Sequence, residues 1–234
     1  MHRAFRVLMV ALCLTFLLAL AASRRTAAKS SAPPVGESKS ERSTSQQERV
    51  ERGRYLATIG SCNDCHTPWK LDPEIGLPLP DMSRMFSGHP EGAPDPASDY
   101  KGRDMAIIGP TFTSFRFPFG VTYSANLTPD PTTGLGNWTE DMFVSALRKG
   151  KHMGGEGRTI MPPMPWPLIG QMTDEDLKSV FTYLKSIPAI KNDVPQHKVP
   201  NEVIEDLSEK NARLAKKLRG GAQARPAQAQ TERR

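Results

Sequence analysis

Cysteine is nearly absent, with three residues in 234, and histidine is limited to five. So few thiols exclude a disulfide-stapled scaffold. Aromatic residues make up 7% of the chain and apolar residues 38%, against 21 prolines, too little apolar side chain to bury the whole length. One packed domain with flexible ends is the expectation. Long hydrophobic runs are missing too, except for the uncharged stretch from Val7 to Ala22, which follows His2, Arg3 and Arg6 and precedes small residues. That run is shorter than the roughly 20 residues that span a bilayer comfortably. Residues 1–23 are therefore expected to be a signal peptide cleaved near Ala21 to Ser23, with a membrane anchor as the alternative. Cleavage would remove Cys13 and leave two cysteines in an oxidising compartment.

A long basic stretch within the domain is likewise missing. The formal net charge is +6, but residues 1–47 carry +5, residues 48–200 carry −2 and residues 201–234 carry +3. The basic character belongs to the ends, which removes support for nucleic-acid binding.

Residues 24–47, rich in Ser, Ala, Pro and charge, read as a disordered linker, and 48–200 as the domain. Residues 201–234 read as a peripheral helix over Glu202 to Leu218 and a disordered basic tail from Gly220. Three helices stand out within the domain. Glu48 to Thr58 places Val50, Gly53, Leu56 and Ala57 on one face. Thr139 caps a second helix with Met142, Phe143, Ala146 and Leu147 as its stripe, ending near Gly150. Thr173 caps a third, with Leu177, Val180, Phe181 and Leu184 as its stripe and Pro188 as its stop. Between them, 67–121 is rich in Pro and Gly and lacks a sustained period until Ala106 to Tyr123, which reads as a short β-hairpin.

The two remaining cysteines stand in SCNDCH, residues 61–66. A redox-active dithiol would normally follow a strand of a βαβ unit, but an amphipathic helix precedes this one. A zinc site needs four ligands, and His89, His152 and His197 show no close pairing. A disulfide closing the pair on itself is the plain alternative. Covalent haem attachment uses all three residues: Cys62 and Cys65 form thioethers to the porphyrin, and His66 reaches the iron. From the chain's own Cys and His frequencies, a chance CxxCH is expected on the order of once in a thousand such chains. Haem c, one per chain and covalently attached, is the cofactor expected.

An electron carrier with low-spin iron needs a sixth ligand, and methionine sulfur is the soft donor that raises the potential. Met142 belongs to a helix stripe, Met82, Met85 and Met105 lie in or beside the insertion, and Met153 and Met172 flank helix ends. The stretch GRTIMPPMPWP is the better source, because proline fixes the backbone that must hold a ligand. Met164, between Pro163 and Pro165, is preferred; Met161 is the alternative, with His152 behind both.

RGRYLATIGSCNDCHTP, SANLTPDPTTGLGNWTEDMFVSALRKG and MPPMPWPLIGQMTDEDLKSVFTYLKSIP together resemble the class I c-type cytochromes. Within that family they are similar to single haem modules of the cytochrome c subunits of membrane alcohol, aldehyde and gluconate dehydrogenases. The resemblance spans roughly 48–195 and is loosest from Trp69 to Phe119. It implies an all-α cytochrome c fold, with crossed N- and C-terminal helices around the haem and a long Pro/Gly-rich insertion. It places the haem ligands at His66 and Met164 and the helix crossing at Gly53 and Tyr55 against Phe181, Tyr183 and Leu184. Trp138 and Trp166 are candidates for walling the haem. Subunits of that kind carry three haem domains, and this chain has one CxxCH.

The expectation is an exported monohaem cytochrome, not itself an enzyme, passing single electrons between a donor and an acceptor. It would work in a bacterial periplasm, soluble or anchored to the inner membrane by residues 7–22, with redox proteins (a dehydrogenase, an oxidase or another cytochrome) as partners. A haem peroxidase or sensor with a displaceable sixth ligand is the alternative.

Overall fold

Three helices carry the apolar framework, each where a cap or a close approach fixes it. The computed structural model describes residues 39–97, 106–155 and 157–223. The expected signal segment 1–23, the linker as far as residue 38 and the tail beyond 223 lie outside the described residues. The described residues from 43 onward form one compact unit. The first helix, α1, runs Lys39–Ile59. It begins before Glu48 and takes in the last nine residues of the expected linker, 39–47. No proline or glycine interrupts residues 39–52, so a helix nucleated by its packed end continues outward. Gly53 is the point of closest approach: a Cβ there would overlap the carbonyl oxygen of Ser179 and press on Tyr183 Cβ. Glycine within a helix costs about 1 kcal/mol relative to alanine, and here it permits the crossing.

Helix α2, Cys62–His66, is a single turn. Helix α3, Glu140–Lys149, starts where the Thr139 hydroxyl accepts the Met142 amide. It ends at Gly150, whose φ of 71° is left-handed and whose Cβ would fall inside the Trp166 ring. The short helix α4 is Trp166–Ile169. Helix α5, Asp174–Ser186, is capped by Thr173 accepting the Asp176 amide, with three acidic residues in its first turn. Leu56, Phe143, Leu147, Leu177, Phe181 and Leu184 form the core between them. Ion pairs Arg49–Glu140 (2.6 Å) and Arg52–Asp176 (2.9 Å) fasten α1 to α3 and α5. Tyr55 does not join the crossing: it is exposed, with the Arg52 guanidinium 5.9 Å from its ring centroid. Helix α6, Asn201–Gln223, covers α4 with Ala215 buried, and it continues past Gly220, where a tail was expected.

The connection from α2 to α3 contains two small antiparallel sheets. Strands β1 (Trp69–Leu71) and β2 (Pro78–Pro80) pair, and β3 (Ile107–Ile108), β4 (Ser114–Phe117) and β5 (Gly120–Tyr123) follow in order. In the β4–β5 hairpin Phe117 faces Gly120 and Ser114 faces Tyr123. Beyond it, Asp130 accepts the amides and hydroxyls of Thr132 and Thr133, which hold its carboxyl down at about 2 and fix the DPTTG turn. Asn126 and Thr128 tie that turn to the carbonyl of Ile190. The architecture is mainly helical and compatible with a cytochrome c fold. Among the described residues no helix is long and apolar enough to cross a membrane.

Candidate functional site

The α1–α2 junction, the DPTTG turn and the loop before α4 surround one cavity of about 710 Å³, within the range of cofactor pockets. Its floor is apolar: Leu56, Phe143, Leu147, Leu177, Val180 and Leu184. Cys62, Cys65 and His66 line it together, as do Met161 and Met164.

α2 places the three residues of the motif. Ser61, at φ 53°, turns the chain out of α1, and one helical turn then sets the two cysteines and His66 side by side. The thiols are both free and half-buried. Burial pushes Cys62 up to about 11, and it raises Cys65 as well. A redox-active dithiol requires the opposite shift, so that reading loses its chemistry. Among the described residues no group of three or more His, Cys, Asp or Glu could hold a metal ion, which leaves zinc without a ligand set.

His66 is buried, and its Nδ1 lies 2.8 Å from the carbonyl oxygen of Ala125. A carbonyl only accepts, so the proton sits on Nδ1 and the lone pair on Nε2. Burial lowers the His66 pKa and keeps the ring neutral. A neutral imidazole oriented through its other nitrogen is prepared to bind a metal. The surroundings are fixed as well: the Gly88 amide donates to the His66 carbonyl (2.8 Å), and Thr67 accepts the Phe86 amide (2.9 Å).

Met161 is buried and Met164 half-buried, and the Met164 amide donates to the Met161 carbonyl at 3.2 Å. Met153 and Met172 also reach the cavity lining. Trp138 walls the cavity and meets His152 edge-on at 5.7 Å. Trp166 does not line it: its indole packs beneath Gly150 as part of the core. His152 lines the cavity as a neutral ring, lowered to about 3 by burial and by the Arg158 charge. Sequence reasoning missed Arg158 and His197, which also line it. Arg158 did leave a signal, as the one charge in GRTIMPPMPWPLIG. Two thiols, an imidazole with a free lone pair, thioethers and an apolar cavity make a donor set that fits a covalently attached haem.

No protein-family model matches the chain. It is 28% identical over 152 residues to the alcohol dehydrogenase (quinone) cytochrome c subunit of Gluconobacter oxydans, covering 65% of this chain and 24% of that one. It is 34% identical over 134 residues to the gluconate 2-dehydrogenase cytochrome c subunit of Pantoea cypripedii, covering 57% and 22%. Against the fructose dehydrogenase cytochrome subunit of Gluconobacter japonicus it is 30% identical over 135 residues, covering 58% and 20%. The chain thus spans less than a quarter of the length of these relatives. With CxxCH lodged in an apolar cavity, the similarity to these cytochrome c subunits supports a c-type cytochrome.

Proposed function

We propose that this chain is an exported electron carrier with one covalent haem, of the class I cytochrome c type, serving a separate redox enzyme in the bacterial periplasm. The observation that carries the reading is His66, neutral, buried and hydrogen-bonded through Nδ1, so that Nε2 alone is available to iron. The bound iron would supply one-electron chemistry by alternating between ferric and ferrous states. Every other role falls to the protein. Cys62 and Cys65 hold the group covalently, so it stays attached when the fold opens. Ala125 keeps the His66 ring from turning. The apolar floor excludes water, which limits reorganisation when charge changes. Met164, in its proline-flanked loop, is the proposed sixth ligand, with Met161 as the alternative. The single CxxCH supports one haem. The partners proposed are redox proteins, as the dehydrogenase subunits among the relatives suggest. Docking should be transient and small in area. Residues 1–23 would direct export or hold the protein at the inner membrane.

The test is the visible spectrum of the protein matured with covalent haem, oxidised and reduced. A low-spin c-type spectrum is expected, with the weak long-wavelength band that reports methionine sulfur on ferric iron. Met164→Ala should abolish that band and Met161→Ala should keep it; the reverse moves the ligand to Met161. Haem lacking the band in the parent protein would favour peroxidase or sensor chemistry. Loss of covalent haem is expected in Cys62→Ala/Cys65→Ala, and full retention would overturn the attachment.

A further inference from the structure

The backbone is strained at a place just behind the cavity. Phe86, bulky and buried, has φ 62°, and Gly88, two positions on, has φ 74°. A left-handed phenylalanine is unfavourable and persists only where its surroundings over-determine it. Here all four amides of residues 86–89 are committed. Phe86 donates to Thr67 Oγ1 (2.9 Å), Ser87 to the Arg84 carbonyl (3.0 Å), Gly88 to the His66 carbonyl (2.8 Å) and His89 to the Ser124 carbonyl (3.0 Å). In return the Phe86 carbonyl accepts the Leu127 amide at 2.8 Å.

The strained segment therefore stands between two others. On one side is the end of α2 with His66 and Thr67; on the other is 124–127, which carries the Ala125 carbonyl that accepts the His66 Nδ1 proton. Gly88 fits directly against that acceptor: a Cβ would lie 2.6 Å from the Ala125 carbonyl carbon and 2.7 Å from its oxygen. Thr113 closes the far side. Its carbonyl accepts the Ser124 amide at 2.9 Å, and its hydroxyl pairs with His89 Nδ1 at 3.0 Å. A histidine and the carbonyl to which it donates thus share one rigid spacer, supplied by the insertion.

We propose that residues 86–89 are a positioning element that fixes the length and direction of the His66–Ala125 hydrogen bond, and through it the potential of the bound iron. The inference rests on the haem reading above and deepens it. A firmly held bond makes the imidazole a stronger donor and favours ferric iron, so a slackened bond should raise the potential. Gly88 and Thr67 act only through His66 and Ala125, since neither lines the cavity.

The experiment uses the full chain matured with haem and isotopically labelled histidine. Two quantities are read: the magnetic resonance signal and exchange rate of His66 Nδ1–H in the ferrous protein, and the midpoint potential. In the parent that proton should exchange slowly. Gly88→Ala pushes on the acceptor, and Thr67→Val frees the Phe86 amide from its anchor. In both, exchange should quicken about fivefold or more and the potential should rise. Thr67→Ser keeps the hydroxyl and should return both readings towards the parent. A change in one reading without the other, or in neither, would overturn the role, leaving the segment a scaffold only. Should both variants fail to mature, His89→Leu decides, because it keeps the backbone bonds and loses only the tie to Thr113. A smaller rise in potential with faster exchange sustains the role, and an unchanged potential overturns it. A parent chain without covalent haem defeats the haem reading itself, and this role with it, whatever the hydrogen bond does.

Discussion

The helical framework and the long insertion between α2 and α3 are built on different principles. In the framework, Leu56, Phe143, Leu177, Phe181 and Leu184 are removed from water and the helix ends are capped. In the insertion and its borders most of the deeply buried side chains are polar, Thr67, Ser87, His89, Thr113, Ser114 and Thr122, with Pro96 among them as an apolar one. Each buried hydroxyl or ring there needs a partner, and several have one: His89 Nδ1 meets Thr113 Oγ1 at 3.0 Å, and Thr122 donates to the Pro162 carbonyl at 2.7 Å. Apolar burial tolerates small shifts and reveals itself by periodicity. A polar interior depends on matched donors and acceptors and leaves no period to read.

This contrast can be tested by damage of three kinds. The largest effect belongs to the framework: Gly53→Ala forces a methyl group into the Ser179 backbone and should cost about 3 kcal/mol or more in chemical denaturation, with global loss of α1 contacts. A merely local effect would mean that the crossing can slide. Next is Asn192, buried, which donates to the carbonyls of Ser87 (2.7 Å) and His89 (2.8 Å) and accepts from the Glu91 amide (2.9 Å) and Arg84 (3.1 Å). Asn192→Ala leaves those groups unsatisfied and should cost about 2 kcal/mol. Faster amide exchange should be confined to residues 84–91. The smallest effect separates the regions by pH. Burial lowers the His89 pKa below its unfolded value of about 6.5, so the unfolded chain takes up the proton first and stability declines as pH drops below that value. His89→Gln should remove this part of the decline. In the framework, Asp174 is lowered by Arg148, so its contribution stays intact until pH falls through the ordinary carboxylate range near 4.

The same contrast explains what was readable in advance. Helices α3 and α5 were legible because Thr139 and Thr173, the acidic first turns and the apolar stripes all agree. The start of α1 was not, since residues 39–47 are polar on every side and only their attachment to a packed helix makes them helical. Gly53 was legible as a contact, but Tyr55 was not, because a tyrosine next to a crossing can as well face water. At the site, Cys62, Cys65 and His66 lie within five consecutive positions and carry their own meaning. Met161 and Met164 share one loop and one cavity, so spacing along the chain does not separate them, and only the structure shows Met161 buried and Met164 half-buried. Arg158 and His197 meet only through the fold, 39 positions apart along the chain.

The irregular stretch between α5 and α6 takes part in both kinds of interior. Ile190 holds the DPTTG turn, Asn192 clasps the insertion, His197 lines the cavity, and Lys198 bridges to Val121. It behaves as a drawstring: a single proteolytic cut between Pro188 and Pro200 would slacken the cofactor chamber and the insertion together. Two differently built interiors therefore share one mechanical fate, and the protein should melt in one step rather than two.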